Sequence, residues 1–387
     1  MASRGCQRGE CTVKKQISVL TALLTAAAFA VTGCSASGDN AAPSASSKAA
    51  SQEVPEETEH SEAESTEAEN TGAETGSEAV SEEEKEGSGA SAVRVGSLKG
   101  PTSMGLAYLM ETAKNGETAN TYEFTMAGKA DELVGNIANG SLDIALVPAN
   151  VASVLYNKTQ GQVKVIDINT LGVLYVVASD DSISTMEDLK GKTVYMTGKG
   201  TTPEFAMNYL LAENGLGSGD VTMEFKSEAA EVASILKEDP SAIGVLPQPF
   251  ASAACMQNPE LKTVMDLTEQ WDLLNKEGNS RMVTGVTIVR TGFLEEHEAA
   301  VERFLKDHAE SAEYTSAEPE KAAQLVADIG IVEKAAMAQK AMPLCNIVCI
   351  TGEEMKQALS GYLEVLSGQD AKSIGGTLPG DDFYYLP

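Results

Sequence analysis

The thiol of Cys34 is the side chain in this sequence whose neighbours most clearly dictate a covalent reaction. It closes Val31-Thr32-Gly33-Cys34, behind an apolar run over residues 17–31, with Lys14 and Lys15 upstream and small polar residues downstream. This is the layout of a bacterial lipoprotein leader: a basic start, a short apolar stretch, small residues at the cut and a cysteine that takes the lipid. An apolar stretch of about 15 residues falls short of the roughly 20 needed to cross a bilayer, which argues against an uncleaved anchor. With diacylglycerol on sulfur and a palmitate-type chain on the new amino group, Cys34 would carry two or three acyl chains, enough for stable anchoring. Residues 1–33 are therefore expected to be a signal peptide, and the mature chain to sit lipid-anchored on the outer face of the cytoplasmic membrane. Residues 1–12, with Cys6 and Cys11, exceed what such a start needs, so translation is expected to begin at Val13.

Non-covalent chemistry points to four short segments rich in hydroxyls, amides and glycine. Lys99-Gly100-Pro101-Thr102-Ser103 follows a predicted strand and precedes a predicted helix, so Lys99, Thr102 and Ser103 either meet a ligand or cap a turn. Pro148-Ala149-Asn150 offers Asn150 as a helix cap or a ligand contact. Thr197-Gly198-Lys199-Gly200-Thr201-Thr202-Pro203 opens another helix, with Pro203 at its first turn and Thr202 as cap. Its glycines allow close backbone approach, which favours Gly200, Thr201 and Thr202 as ligand contacts. Pro247-Gln248-Pro249 presents Gln248, both donor and acceptor, in a segment that reads equally as a rigid turn. Neither Gly191-Lys192-Thr193 nor Gly198-Lys199-Gly200 is a nucleotide-binding loop: Met186 stands where the first glycine should be, and Lys199 is followed by Gly200.

Catalytic arrangements have few places to form. His60 lies in an acidic stretch, while His297 and His308 stand eleven residues apart on one predicted helix among Glu and Lys and are expected to be solvated. A Ser-His-Asp or Cys-His constellation and a histidine-rich zinc site are thus not expected, and no catalytic residue, cofactor or metal ligand is assigned. Cys345 and Cys349 share an apolar, strand-like segment, about 13 Å apart if extended, too far for a bridge. Buried free thiols are expected there, with a bridge from Cys255 to either one left open. Among the aromatics Tyr108, Tyr175, Tyr195, Phe205, Tyr209, Phe250 and Trp271, each is expected in a core rather than as a stacking wall. Lys99, Lys199 and Arg281 are the cations placed to meet an anion.

The elements that must position these segments alternate. Strands are predicted at 93–98, 122–126, 144–147, 163–168, 171–178, 193–196, 221–225, 242–246 and 283–289, and helices at 104–114, 130–139, 204–214, 294–311 and 319–329. Continuous apolar runs such as Ile144-Ala145-Leu146-Val147 suit strands covered on both faces, and the fold class is α/β. Residues 35–92 hold fifteen acidic side chains against Lys48 and Lys85 and almost no large apolar ones, so residues 34–92 are expected to be a disordered tether spanning roughly 40 Å or more. The remaining 295 residues, with a net charge of −19, are long enough for two lobes: 93–178 with 281–387, and 179–280. So acidic a body excludes nucleic acid and anionic lipid surfaces as partners.

Gly140-Ser141-Leu142-Asp143-Ile144-Ala145, Met186-Glu187-Asp188-Leu189-Lys190-Gly191-Lys192-Thr193-Val194, Phe293-Leu294-Glu295-Glu296-His297 and Glu318-Pro319-Glu320-Lys321-Ala322-Ala323 resemble, in order and spacing, segments of type-2 solute-binding proteins. The resemblance spans nearly all of residues 93–387 and is nearest to the nitrate, taurine and aliphatic-sulfonate (NitT/TauT) group, which also holds thiamine-pyrimidine binders. It implies two lobes, each a mostly parallel sheet flanked by helices, joined by two crossing strands and closing without chemistry over a small molecule or anion. It further implies delivery to an ABC permease with its ATPase, by a monomeric chain. An enzyme on the same fold, similar to pyrimidine synthases or menaquinone-pathway enzymes, is the runner-up, and a tethered ligand sensor the third reading.

Overall fold

The computed structural model describes residues 92–387. The leader, Cys34 and residues 35–91 of the acidic stretch lie outside the described residues. The first part of the chain builds β1 (Val93–Leu98), α1 (Pro101–Met104), α2 (Ala107–Lys114), β2 (Tyr122–Ala127), α3 (Ala130–Ala138), β3 (Ile144–Pro148), α4 (Ala149–Thr159) and β4 (Val163–Leu171). There follow β5 (Leu174–Ala178), β6 (Thr193–Met196), α5 (Thr202–Glu213), β7 (Thr222–Phe225), α6 (Ala229–Glu238), β8 (Ile243–Pro247), α7 (Phe250–Gln257), β9 (Lys262–Asp266) and α8 (Leu267–Leu274). The chain then forms β10 (Val283–Arg290), α9 (Thr291–Ala317), α10 (Pro319–Asp328), α11 (Ala335–Ala341), β11 (Ile347–Ile350) and α12 (Gly352–Gln369).

Two sheets result, with strand orders β11-β4-β10-β3-β1-β2 and β7-β6-β8-β5-β9. All five residues of β5 are buried, as are eight of the nine in β4, so both strands need apolar cover on both faces. The edge strands β2 and β7 alternate exposed and half-buried positions instead. Each sheet is mixed. In the first, β1 pairs β2 and β3 in parallel, whereas β10 runs antiparallel to both β3 and β4. In the second, β6 pairs β7 and β8 in parallel and β5 runs antiparallel to β8 and β9. The antiparallel halves arise where the chain passes between sheets, because β5 and β10 each enter their sheet from the other one.

Residues 171–178 do not form one long strand. Leu171 ends β4 in the first sheet, Gly172 and Val173 cross, and Leu174–Ala178 hydrogen-bonds to β8 and β9 in the second. The division expected after residue 178 therefore differs from sheet membership, which changes at Gly172-Val173. A Cβ on Gly172 would collide with Thr268 Oγ1 and Met282 Sδ, so glycine is required where the outgoing crossing passes beside the return segment. The helix expected over 104–114 is likewise broken, into the single turn of α1 and then α2.

An ion-pair clamp closes the far end of the first sheet. Asp143, 1% exposed, accepts from Arg94 Nε (2.8 Å) and Nη2 (2.6 Å) and from Arg290 Nη2 (2.7 Å), which ties β1 to β10 across the start of β3. Cys255, Cys345 and Cys349 are unbridged, Cys345 buried and the other two half-buried. Cys345 precedes β11 rather than lying on it. Among the described residues, no helix is long and apolar enough to cross a membrane.

Candidate functional site

Strand direction decides which loops face each other. The C-terminal ends of β1, β3 and β4 and the start of β10 lie on one edge of the first sheet; the C-terminal ends of β6, β8 and β9 and the start of β5 form one edge of the second. Because the short Gly172-Val173 link joins β4 to β5, these two edges are neighbours. A cavity of about 940 Å³ lies there, lined from one side by Lys99, Glu333 and Lys334 and from the other by Pro249, Phe250 and Gln257.

Around Lys99 the backbone turns through Gly100 at φ 138°, a left-handed value that glycine accepts readily, and the Gly100 carbonyl takes the N–H groups of Ser103 and Met104. Lys99 is exposed. Thr102 is 7% exposed; its hydroxyl donates to the Leu98 carbonyl (2.9 Å), which leaves the oxygen able to accept. Ser103 is fully buried and spends its single proton on the same carbonyl, so it is Ser97 that donates to Ser103 across their 2.6 Å contact. Ser103 thus has no donor left to offer a ligand.

Gln248 is held more unusually. Its backbone N–H donates to Val173 O (2.9 Å), which fixes it beside the crossing, and its Oε1 accepts from Ser252 N (3.3 Å) at the first turn of α7. The side chain is 3% exposed, yet Nε2 has no partner. A buried amide donor left unmet costs on the order of 1–3 kcal/mol, so such a group usually has a partner. The other expected contacts already have partners. Asn150 donates to Ser373 O (3.4 Å), the first rung of a series in which Ser153 and Asn157 bind Ile374 O. Thr201 donates to Gly198 O (2.6 Å), the Gly200 N–H to the Glu204 carboxylate, and both residues are exposed. Thr202 begins α5. The structure therefore brings Lys99 and Pro249, the neighbour of Gln248, to one cavity, while Asn150, Gly200 and Thr201, which follow β3 and β6 on the same two edges, already have hydrogen-bond partners.

A family described as ABC transporter, phosphonate, periplasmic substrate-binding protein matches residues 107–331. The chain belongs to this family. A binding protein of Brucella abortus strain 2308 is 25% identical over 251 residues, 62% of this chain and 70% of its own. Among solved structures, an ABC transporter from Parabacteroides distasonis superposes with a TM-score of 0.64 at 23% identity, covering 76% of this chain and 98% of that one. The periplasmic aliphatic sulphonate binding protein SsuA from Escherichia coli gives 0.60 at 16% identity, covering 76% and 92%. Those two likenesses establish the shared two-sheet α/β fold, and the nitrate, taurine and sulfonate resemblance read from the sequence agrees with them.

In this periplasmic substrate-binding protein, the polar residues nearest the crossing escaped sequence reading. Asp167, Asn169 and Thr170, on β4, and Thr287, on β10, are all buried. Thr170 Oγ1 donates to Asn169 Oδ1 (2.9 Å), Asn169 Nδ2 to Thr287 Oγ1 (3.2 Å), and Thr287 Oγ1 to Asp167 Oδ1 (2.7 Å). A Cβ on Gly285 would collide with Asn169 Oδ1 and Thr102 Cγ2, so glycine at 285 lets the Thr102 turn pack close to Asn169. The signal was present as Asp167, Asn169 and Thr170 inside an otherwise apolar strand. Across the crossing, Asn346, at φ 47°, donates to Gly172 O (2.6 Å), and the Tyr175 hydroxyl donates to Leu344 O (2.7 Å). The short segment before β11 thereby grips both the link and the second sheet.

His308 corrects the expectation of a solvated pair. It is fully buried with Nδ1 3.0 Å from Asp167 Oδ2, while His297 is exposed. Eleven residues bring two side chains back to one face only in a straight helix, and α9 breaks helical geometry at His297 (φ −136°, ψ 36°). Cations are also accounted for: Arg94 and Arg290 on Asp143, Arg281 on Asp272 (3.4 Å), and Lys199 over the Phe225 ring (5.9 Å from its centroid). Phe250, 44% exposed, is the aromatic that lines the cavity, whereas Tyr108 stacks on Tyr314 at 4.0 Å and Trp271, Tyr175 and Phe205 are core. Burial pushes the Cys345 thiol up to about 12, which makes it unreactive at neutral pH.

Proposed function

We propose that this chain, anchored by lipid on Cys34 and held off the membrane by residues 34–92, captures a small oxyanion-bearing molecule between two lobes centred on the two sheets and hands it to an ABC permease. The observation that carries this reading is the buried, unpartnered Gln248 amide at the edge where the two sheets adjoin, one residue before Pro249, which lines the cavity with Lys99. A phosphonate or sulfonate oxygen would satisfy that donor, with Thr102 and Lys99 on the facing side. The phosphonate family match and the likeness to a sulphonate binding protein support this class of ligand.

The test is native mass spectrometry of the purified chain for co-purifying ligand, with thermal-shift titration of methylphosphonate and ethanesulfonate. The Gln248→Ala variant is expected to bind the stabilising compound about 10- to 100-fold more weakly, the loss of one hydrogen bond to a charged group. Unchanged affinity in Gln248→Ala would remove Gln248 from the site, and conversion of the ligand to a product would replace the binding role by an enzymatic one. Uptake of the bound compound that is unchanged in cells lacking this chain would point to sensing rather than import.

A further inference from the structure

Asp167, His308 and Cys349 come from β4, α9 and β11, and one ligand atom of each lies within 4.8 Å of the others. The Cys349 thiol makes no hydrogen bond to either of them and donates weakly to Leu305 O at 3.9 Å. It is thus too far to bond to them directly and near enough for all three to share one ion. Zinc bonds of about 2.0 Å to oxygen and nitrogen and about 2.3 Å to sulfur put tetrahedral ligand atoms roughly 3.3–3.5 Å apart, a few tenths beyond the 3.0 Å between His308 Nδ1 and Asp167 Oδ2.

We propose that these three residues form a zinc-type transition-metal site in the first sheet. One carboxylate and one thiolate balance a divalent charge, so the buried site is electroneutral, and the carboxylate–imidazole–thiolate set suits zinc rather than magnesium or calcium. Binding displaces the thiol proton to solvent and shifts the imidazole proton from Nδ1, where it faces Asp167 Oδ2, to Nε2, which is buried and has no partner of its own. Thr287 orients the carboxylate by donating to Asp167 Oδ1 (2.7 Å). Solvent reaches Cys349 through a cavity of about 360 Å³ lined by Glu302, Leu305, Lys306 and Thr351, which supplies an entry path and room for a water ligand. The site also has a structural use. β11 pairs with β4 at only two positions, with an irregularity between them, and a metal bridging Cys349 to Asp167 would clip this loosely held edge strand to the sheet just beyond Asn346.

The purified full-length chain, stripped with chelator, would be titrated with cobalt(II) and zinc(II). A thiolate-to-cobalt charge-transfer band is expected in the wild type and in Cys255→Ser and is expected to be absent in Cys349→Ser. Zinc at 100-fold over its Kd should raise the Tm by about 5 °C in the wild type and leave Cys349→Ser unmoved. Thr287→Val, which keeps every ligand, should weaken zinc binding at least about 10-fold. No band in folded wild type, a band that survives in Cys349→Ser, or an equal zinc shift in both proteins would overturn the proposal. Circular dichroism of each variant identifies a loss caused by misfolding.

Discussion

Trp271→Ala is expected to lower stability by about 3–5 kcal/mol, read as a fall in Tm of about 10 °C. Trp271 is fully buried, its Nε1 donates to Ser280 Oγ (3.1 Å), and its ring lies 4.4 Å from Tyr209 and 5.4 Å from Tyr362. Tyr209 belongs to α5, on the second-sheet side, and Tyr362 to α12, which packs on β4 and β10 of the first, so deleting the indole opens a cavity between the two. Trp271→Phe keeps most of the packing and should lose less. A Tm change under about 2 °C for the alanine variant would contradict this packing. Since the chain has a single tryptophan, its fluorescence reports this joint alone, and a ligand that draws the lobes together should shift the emission.

Asp143→Ala should cost a similar about 3–5 kcal/mol, because it leaves Arg94 and Arg290 close together with no counter-charge. Burial on its own would raise the Asp143 pKa, but the hydrogen bonds and charge of Arg94, together with Arg290, outweigh it and hold the carboxyl below its usual 3.8. A carboxylate whose pKa is depressed by folding contributes stability that is fully present at neutral pH and is lost as pH falls from about 4 through the lower folded-state value. Denaturant melts across pH 7 to 2 should therefore show a steeper acid limb in the wild type than in Asp143→Asn, which keeps the shape but not the charge. Parallel limbs would mean that Asp143 does not govern acid sensitivity.

How much of this was legible in the sequence follows from which signals are local. The Lys99-Gly100-Pro101-Thr102-Ser103 turn was identifiable because glycine, proline and hydroxyl side chains mark a strand-to-helix junction through their own backbone preferences, and Gly100 does adopt a left-handed φ. The Pro247-Gln248-Pro249 turn was identifiable for the same reason. Strand starts and ends mostly fell within a few residues because apolar runs report burial on both faces. His308 and His297 show the opposite case: spacing could not reveal a kink that sends one side chain into the core and the other to solvent. Leu171 and Leu174–Ala178 read as one strand, because an apolar run carries no record of the sheet that receives it.

What the sequence determined by itself was the α/β class, the expectation of a lipid anchor at Cys34, and the junctions where side chains and free amides collect, all of which depend on residues near one another in the chain. The tertiary structure alone decided that Ser103 turns inward, that Gln248 keeps an unmet donor, that Asn346 grips the crossing, and that Asp167, His308 and Cys349 meet. Each of those depends on a partner far away in the chain, set by the order of strands and the passage between two sheets, and hydrophobic periodicity is blind to both.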